Sequence, residues 1–318
     1  MAANIPSFTL NNGIRIPSIG MGCWMGRPGE DEQAYQMCLN AINTGYRHFD
    51  TATGYGNERQ VGQAMRDSKV PRNELYVTTK LANPHHGRVK EAFEESLKTL
   101  NCEYIDLYLM HWPQAAKPDW GKDVFRPDES PTFVETWKDM EKLLEHGKVK
   151  SIGVSNFSIK NLEILLAHCS IIPINQVEMH PCLPQNDLKV YCDSKGIILT
   201  AYSPLGQPTG PDQAISLFNN NTIKALANKL NADLAQVLLS WGVQRKTIVI
   251  PKTGNEMRMK TNITVIELSA EDMEAIDNLH LQPNMHRTLC YYEKTSVEDK
   301  IGGWTCEELG WDMVGGIV

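Results

Sequence analysis

The chain has 318 residues, of which 42% are hydrophobic, so it can bury a large core. Its net charge of −7 and isoelectric point of about 5.7 argue against general binding to nucleic acid or to an anionic membrane. No apolar run approaches transmembrane length, and residues 1–13 lack the apolar core of a secretory signal.

The eight cysteines form neither a redox motif nor a metal motif. They contain no CxxC pair and no zinc-finger spacing with histidine, and they stand at positions 23, 38, 102, 169, 182, 192, 290 and 306. Scattered cysteines are typical of reduced thiols, so we expect a cytoplasmic protein without a bound metal. Without a secretory signal, the glycosylation sequons at Asn156, Asn220 and Asn262 are interpreted as accidental.

The chain begins with a hairpin pattern and continues as a regular alternation. Two short β-type runs flank Asn12-Gly13, which is a strong hairpin signal. Eight β-rich runs follow, at residues 18–24, 46–50, 75–80, 105–111, 150–156, 174–180, 197–203 and 247–252. Apolar residues spaced by three and four positions predict amphipathic helices between them, for example at 31–45, 88–100, 132–147 and 159–168. Glycines stand where three helices would end, at positions 45, 147 and 196.

This alternation predicts an α/β fold, a (β/α)8 TIM barrel. We expect one domain over residues 1–318, with a hairpin cap at 8–17, the barrel at 18–280 and a long C-terminal loop at 281–318. A doubly wound fold is the alternative, and it would need the pattern G-x-G-x-x-G after its first strand. Gly20, Gly22 and Gly26 come near that pattern, but the third glycine is one position late and no helix follows.

The chemistry of a (β/α)8 barrel lies at the C-terminal ends of its strands. The eight predicted ends carry polar or aromatic residues, namely Trp24, Asp50, Lys80, His111, Ser155 with Asn156, Gln176 with Glu178 and His180, Tyr202 with Ser203, and Lys252 with Thr253. Any one of them could be an ordinary rim residue. Asp, Lys and His on three consecutive strands, with Tyr55 after the first of these, favour a catalytic site.

These four residue types together make a tuned proton donor. A tyrosine has an ordinary pKa of about 10, and a nearby lysine ammonium is expected to lower the pKa of Tyr55. Asp50 would keep Lys80 charged and oriented, and His111 would hydrogen-bond a substrate oxygen. Such a site would protonate a carbonyl or deprotonate an alcohol, and it would need a separate hydride donor.

Several segments resemble the aldo-keto reductase family, in the same order along the chain. HFDTATGYGNE and LYLMHWP resemble the segments with the catalytic Asp, Tyr and His, and GVSNF, INQVEMHP, TAYSPLG and IPKT resemble cofactor-binding segments. The resemblance runs from about residue 8 to residue 280. It implies a catalytic tetrad of Asp50, Tyr55, Lys80 and His111, in which Tyr55 is the acid.

The resemblance also implies an NADPH site. It assigns Ser155, Asn156 and Gln176 to the nicotinamide amide, Tyr202 to stacking on the ring, and Ser203 and Leu205 to the pyrophosphate. Lys252, Thr253, Arg258 and Asn262 would hold the 2′-phosphate and adenine, at a helix N-terminus that favours an anion. The substrate pocket would be lined by Trp24, which also borders the cofactor, together with Tyr55, His111 and Trp112.

Some positions depart from the family pattern. Thr261 stands where many members carry a glutamate beside the adenine, and residues 206–213 lack the usual acidic-and-serine clasp over the cofactor. The tail is individual to this chain. Its residues Cys290, Tyr291, Tyr292, Trp304 and Trp311 either face the substrate or pack on the barrel.

We therefore expect NADPH-dependent, reversible reduction of an aldehyde or ketone by a monomer. The long polar loop at residues 118–130 favours small polar carbonyls such as glyceraldehyde, sugar aldehydes or uronates. One alternative is a nonenzymatic NADPH-binding regulatory subunit, or a structural protein, on the same fold. Another is a Schiff-base aldolase that uses Lys80, although Asp50 should keep that lysine charged.

Overall fold

A computed structural model describes residues 5–29, 32–118, 123–169, 171–207, 216–290, 300–314 and 316–318. The predicted hairpin is confirmed: β1 (Ser7–Thr9) pairs antiparallel with β2 (Arg15–Pro17), and Gly13 takes a positive φ of 84° in the turn. The eight predicted strands follow as β3 (Met21–Gly22), β4 (His48–Asp50), β5 (Tyr76–Leu81), β6 (Ile105–Met110), β7 (Val149–Ser155), β8 (Ile174–Glu178), β9 (Ile198–Tyr202) and β10 (Ile248–Val249).

These eight strands form one parallel sheet in sequence order, from β3 to β10. A parallel bridge between Ile19 and Val249 joins the first strand to the last and closes the barrel. Gly22 lies at this seam, where an added Cβ would come within 2.6 Å of the Ile250 carbonyl oxygen. The glycine there permits the two strands to approach closely, so the G-x-G motif serves barrel closure and the doubly wound alternative is wrong.

A helix follows each of the eight barrel strands, as the alternating sequence pattern predicts. Their bounds are α1 (Glu32–Thr44), α2 (Glu58–Asp67), α3 (Val89–Leu100), α4 (Phe133–Leu143), α5 (Ile159–Leu166), α6 (Asn186–Ser194), α7 (Asn221–Leu230), α8 (Leu234–Gln244), α9 (Glu256–Asn262) and α10 (Ala270–Asp277). The three predicted terminal glycines, Gly45, Gly147 and Gly196, all have positive φ. None of the helices in the described ranges has both the length and the apolar character that a bilayer crossing needs.

The hairpin closes the N-terminal end of the barrel. Leu10 and Ile16 are buried against interior side chains from several strands, including Leu107, Ile174 and Ile248. Asn12 Nδ2 also donates a 2.8 Å hydrogen bond to Ser151 Oγ at the start of β7. Apolar side chains therefore fill the N-terminal end of the barrel, and polar side chains gather at the C-terminal end.

The C-terminal segment contains more regular structure than its sequence pattern predicts. Residues 300–305 form a short antiparallel pair, β11 (Lys300–Ile301) and β12 (Trp304–Thr305), and α11 (Cys306–Leu309) follows. Trp304 is buried and donates a 2.7 Å hydrogen bond from Nε1 to the Phe125 carbonyl oxygen. Trp304 thus packs on the barrel loops, whereas Tyr291 and Tyr292 lie outside the described residues.

Candidate active site

Asp50 and Lys80 form a buried ion pair at the mouth of the barrel. Asp50 ends β4 and Lys80 lies near the end of the neighbouring β5, so the parallel register brings their side chains together. Lys80 Nζ is 2.5 Å from Asp50 Oδ1 and donates a second hydrogen bond, of 2.9 Å, to the Thr51 carbonyl oxygen. The second carboxylate oxygen of Asp50 accepts a 2.7 Å hydrogen bond from Gln176 Nε2.

These contacts fix the charge on Lys80. Burial by itself favours the neutral amine, but Asp50 and Tyr55 outweigh it and raise the pKa of the Lys80 ammonium above its ordinary value. A lysine that stays protonated is a poor amine nucleophile. The geometry therefore disfavours the Schiff-base aldolase alternative.

Tyr55 lies against this pair, on a short 3₁₀ helix (Thr53–Tyr55) after β4. Its ring centroid is 5.0 Å from Lys80 Nζ and 5.7 Å from the His111 ring centroid. Burial raises the pKa of the Tyr55 phenol above its ordinary value, and the Lys80 ammonium only partly offsets that rise. The expectation of a lowered Tyr55 pKa is therefore wrong in its net direction, because desolvation of the phenolate is the larger effect.

His111 follows β6 and completes this group. Burial, together with the nearby Lys80 charge, lowers the pKa of the His111 imidazole to about 3. The ring is therefore neutral at physiological pH and can offer an N–H to a substrate oxygen without bringing a second positive charge to the site. The structure brings all four predicted catalytic residues together.

Two residues that we did not predict hold the Tyr55 loop in place. Asn57 is buried, donates from Nδ2 to the Cys23 carbonyl oxygen at 2.7 Å, and accepts from Thr51 Oγ1 at 2.7 Å. Glu58 is also buried and accepts a 2.6 Å hydrogen bond from Thr79 Oγ1 on β5. Both residues belong to the HFDTATGYGNE stretch, so the sequence feature that could have identified them is their polar character close to Tyr55.

The residues predicted to bind nicotinamide form a connected polar cluster. Ser155 Oγ donates to the Gln176 carbonyl oxygen at 2.9 Å, and Asn156 Nδ2 donates to the His111 carbonyl oxygen at 3.0 Å. Tyr202 OH donates a 2.8 Å hydrogen bond to Asn156 Oδ1. Asn156 has a positive φ of 64°, and its side chain bridges His111 after β6 and Tyr202 at the end of β9. This cluster is connected to the Asp50–Lys80 pair through Gln176, whose Nε2 contacts Asp50.

The remaining predicted mouth residues lie on neighbouring strand ends. Trp24 is 41% exposed, with its ring centroid 5.0 Å from that of Tyr55, and Trp112 is half-buried next to His111. Ser203, with a positive φ of 48°, follows β9, and Leu205 packs partly buried behind it. Residues 208–213, the remainder of the segment without the acidic clasp, lie outside the described residues.

The predicted phosphate-binding residues lie on the short helix α9 or just before it. It has seven residues, and its first turn is already capped because Asn255 Oδ1 accepts a hydrogen bond from Arg258 N. The helix N-terminus is therefore a weaker anion site than the sequence suggests. Lys252 and Arg258 are exposed, and neither makes an ion pair within the described ranges, while Thr253 and Asn262 are buried nearby in the chain.

Comparisons with known proteins agree with this arrangement. The model of the Aldo/keto reductase family matches residues 18–280. A glycerol 2-dehydrogenase (NADP(+)) of Saccharomyces cerevisiae is 44% identical over 297 residues, which cover 88% of this chain and 93% of that protein. Aldose reductase B of Dictyostelium discoideum is 41% identical over 295 residues, covering 86% and 92%.

The same relationship is seen in solved structures. The crystal structure of a Bombyx mori aldo-keto reductase in complex with NADP superposes with a TM-score of 0.81 at 38% identity, covering 87% of this chain and 93% of that one. The matched region contains every barrel strand and the Asp50, Tyr55, Lys80 and His111 group. This chain belongs to the aldo/keto reductase family.

Proposed function

We propose that this protein is an NADPH-dependent oxidoreductase that reduces an aldehyde or ketone to an alcohol and catalyses the reverse oxidation. The observation that carries the proposal is the buried Lys80–Asp50 pair beside Tyr55, with neutral His111 across the ring. Relatives named as NADP(+)-dependent glycerol 2-dehydrogenase and as aldose reductase support the reaction class. The site residues keep the roles that the resemblance implies.

The catalytic group fits proton transfer to a carbonyl oxygen. His111 donates a hydrogen bond that orients the oxygen, and Tyr55 OH donates the proton as negative charge develops there. The raised pKa keeps Tyr55 protonated at neutral pH, and the Lys80 ammonium stabilises the phenolate that forms in the transition state. Asp50 and the Thr51 carbonyl oxygen hold Lys80 in position.

The polar side chains of the mouth fit a nicotinamide cofactor. Ser155, Asn156 and Gln176 offer amide and hydroxyl groups next to the catalytic group, and the Tyr202 ring lies beside them. Lys252 and Arg258 are two exposed cations without ion-pair partners in the described ranges, which suits a phosphate. Bound NADPH would supply the hydride that no side chain can provide.

We further propose small polar carbonyls such as glyceraldehyde as substrates, since the loop after His111 is long and polar. The described part of that loop, residues 123–130, carries Asp123, Arg126, Asp128 and Glu129. We also propose a single-domain, monomeric, cytoplasmic enzyme. All eight cysteines are free thiols, which suits a reducing compartment.

The first test is the loss of NADPH absorbance with glyceraldehyde, comparing wild type with Tyr55→Phe. We expect turnover in wild type and a loss of at least about 100-fold in the variant, because the general acid is gone. Tyr35→Phe is the matched control, since it removes a tyrosine hydroxyl that contacts exposed Asp67 instead. Turnover that survives in Tyr55→Phe would refute the assigned acid. NADPH binding without turnover on any carbonyl would favour the regulatory-subunit alternative.

A further inference from the structure

Glu178 is a buried carboxylate at the end of β8 that the proposed reaction leaves without a role. Its side chain is almost fully buried, yet it is saturated with hydrogen-bond donors. Three of these donors come from one short stretch 110 or more residues away: Thr288 Oγ1 at 2.5 Å, Leu289 N at 2.7 Å and Cys290 N at 3.1 Å. One carboxylate thus binds both the side chain and the main chain of the segment where the C-terminal tail begins.

His180 completes the coordination of this carboxylate from the β8 side. Its Nε2 lies 2.9 Å from Glu178 Oε1, which is within hydrogen-bond distance. Although burial opposes ionisation, the hydrogen bonds from His180, Thr288 and Leu289 hold the pKa of Glu178 below its ordinary value. Glu178 is therefore an anion whose acceptor capacity is committed to positioning the chain.

The stretch held by Glu178 touches the segment after β9. Cys290 Sγ lies 3.2 Å from Ser203 Oγ and accepts a 3.4 Å hydrogen bond from Gln207 Nε2. Leu289 packs close to Gly206, where an added Cβ would come within 2.8 Å of Leu289 Cδ1. Residues 288–290 thus lie between the Glu178 carboxylate and residues 203–207, which include Ser203 and Leu205 of the proposed pyrophosphate site.

We propose that Glu178 is a positioning residue that fixes the start of the C-terminal tail against the cofactor-binding segment 203–207. This inference rests on the proposed function, because it assigns Glu178 an effect on NADPH retention and carbonyl binding at that same site. Glu178 acts through residues 288–290. Further along the chain, Ile301 and Trp304 contact Gln114 and Phe125 in the loop after β6. Glu178 and His180 stand at a predicted strand end, but the predicted site gives them no role.

The hydrogen-bond pattern predicts how substitutions differ. Glu178→Ala leaves the half-buried N–H of Leu289 without its acceptor and the N–H of Cys290 with only Thr288 Oγ1, which weakens the hold on the stretch beside Ser203. Glu178→Gln keeps one oxygen for these N–H groups, and the Thr288 hydroxyl can turn to accept from the new amide. The amide variant should therefore rescue most of what the alanine variant loses.

The experiment measures the tail and the catalytic cycle separately. Hydrogen exchange of peptides covering residues 286–290 reports the anchoring, stopped-flow fluorescence reports NADPH release, and steady-state assays with glyceraldehyde report KM. For Glu178→Ala we expect faster exchange, NADPH release about 10-fold faster and KM about 10-fold higher, changes that match the loss of one to two hydrogen bonds. The single-turnover rate at saturating glyceraldehyde should stay within about 3-fold of wild type, since Tyr55, Lys80 and His111 are untouched.

Controls separate positioning from general stability. Asp106→Ala removes another largely buried carboxylate that accepts a backbone hydrogen bond, from Val77 N, but at the start of β6, far from the mouth. It should lower stability without changing KM or NADPH release. If Glu178→Ala does not fold, Thr288→Val is the second variant. It removes the 2.5 Å hydrogen bond to Glu178 and the 3.2 Å bond that Thr288 Oγ1 accepts from Cys290 N, but it leaves Leu289 N on the carboxylate. It should shift exchange, release and KM in the same direction by a smaller factor.

Two results would overturn the inference. One is fast exchange at residues 286–290 in Glu178→Ala with unchanged KM and NADPH release, and the other is Glu178→Gln as impaired as Glu178→Ala. A wild type that turns over no carbonyl would count against the proposed function instead. In that case hydrogen exchange and NADPH release in the same variants would still decide whether Glu178 anchors the tail to the cofactor segment.

Discussion

Lys80 Nζ lies 2.5 Å from Asp50 Oδ1 in an ion pair that solvent barely reaches. A buried pair costs several kcal/mol of desolvation for each ion, so each partner depends on the other. The pair is further tied to two neighbouring groups, the Thr51 carbonyl oxygen on the lysine side and Gln176 Nε2 on the aspartate side. Its removal should therefore affect stability as well as chemistry.

Lys80→Met should destabilise the protein by about 3–5 kcal/mol, because the Asp50 carboxylate would stay buried without its cation. The double variant Lys80→Met/Asp50→Asn should recover a substantial part of that loss, since no uncompensated charge remains. Urea unfolding of wild type, both single variants and the double variant measures the coupling. Strictly additive losses would contradict the dependence of one charge on the other.

Carbonyl reduction should depend little on pH between about 6 and 8. The raised pKa of Tyr55 keeps its proton in place throughout this range, and His111, with a pKa of about 3, stays neutral. Alcohol oxidation needs the phenolate, so its rate should rise with pH as Tyr55 loses its proton. Profiles of kcat/KM in both directions test this, and an inflection near pH 6.5 in reduction that disappears in His111→Gln would show that His111 titrates instead.

Acid should destabilise the fold through its buried histidines, and His86 is one that the proposed reaction does not use. It is buried next to Thr136 Oγ1, and burial lowers the pKa of His86 to about 3. Because the folded pKa lies below the unfolded value of about 6.5, the unfolded chain takes up the proton first and stability falls as pH drops below 6.5. This group alone should cost about 2 kcal/mol between pH 7 and pH 5.

Urea unfolding at pH 7 and pH 5 provides the check. His86→Asn should show a smaller loss on acidification than wild type, by about that 2 kcal/mol. His146→Asn, at an exposed position after α4, should keep the wild-type pH dependence. Equal pH dependence in wild type and His86→Asn would rule out the contribution of His86.

Arg258→Ala should weaken NADPH binding about 10- to 150-fold and leave NADH binding nearly unchanged, since a charge-assisted hydrogen bond contributes roughly 1.5–3 kcal/mol. Arg258 is exposed and free of ion pairs in the described ranges, so its loss should not disturb the fold. Fluorescence titration with both cofactors at two salt concentrations measures the change. Lys260→Ala, which changes an exposed cation on the same helix, is the matched control. If both variants weaken NADPH binding equally, the cause is a general electrostatic attraction and not a contact between Arg258 and the phosphate.

The barrel was predictable because its signals are local. Each barrel strand is indicated by a short β-rich run, and each helix by apolar residues spaced three and four positions apart. The hairpin turn is indicated by Asn12-Gly13. The positions of Asp50, Lys80 and His111 followed because parallel strands place their C-terminal ends at one rim. The short strands at residues 300–305 were missed because two-residue strands leave almost no periodic pattern.

What the sequence could not supply is the balance between competing long-range effects. The direction of the Tyr55 pKa shift depends on how deeply the phenol is buried relative to its distance from Lys80, and no spacing in the chain encodes that balance. The Gln176–Asp50 contact joins residues 126 positions apart, and the Glu178–Thr288 contact joins residues 110 apart. The first contact joins two strands of the barrel and the second joins the barrel to the C-terminal segment, so neither is encoded by a local spacing.

The hairpin β1–β2 also determines through which end of the barrel ligands enter and leave. Because Leu10 and Ile16 plug the N-terminal end, a molecule lying beside Tyr55 must leave past Trp24 and the rim. Cofactor and substrate would then share this one opening, so whichever of them lies deeper has to enter first and leave last. By closing the N-terminal end of the barrel, the hairpin would in this way fix the order in which ligands bind and are released at the other end.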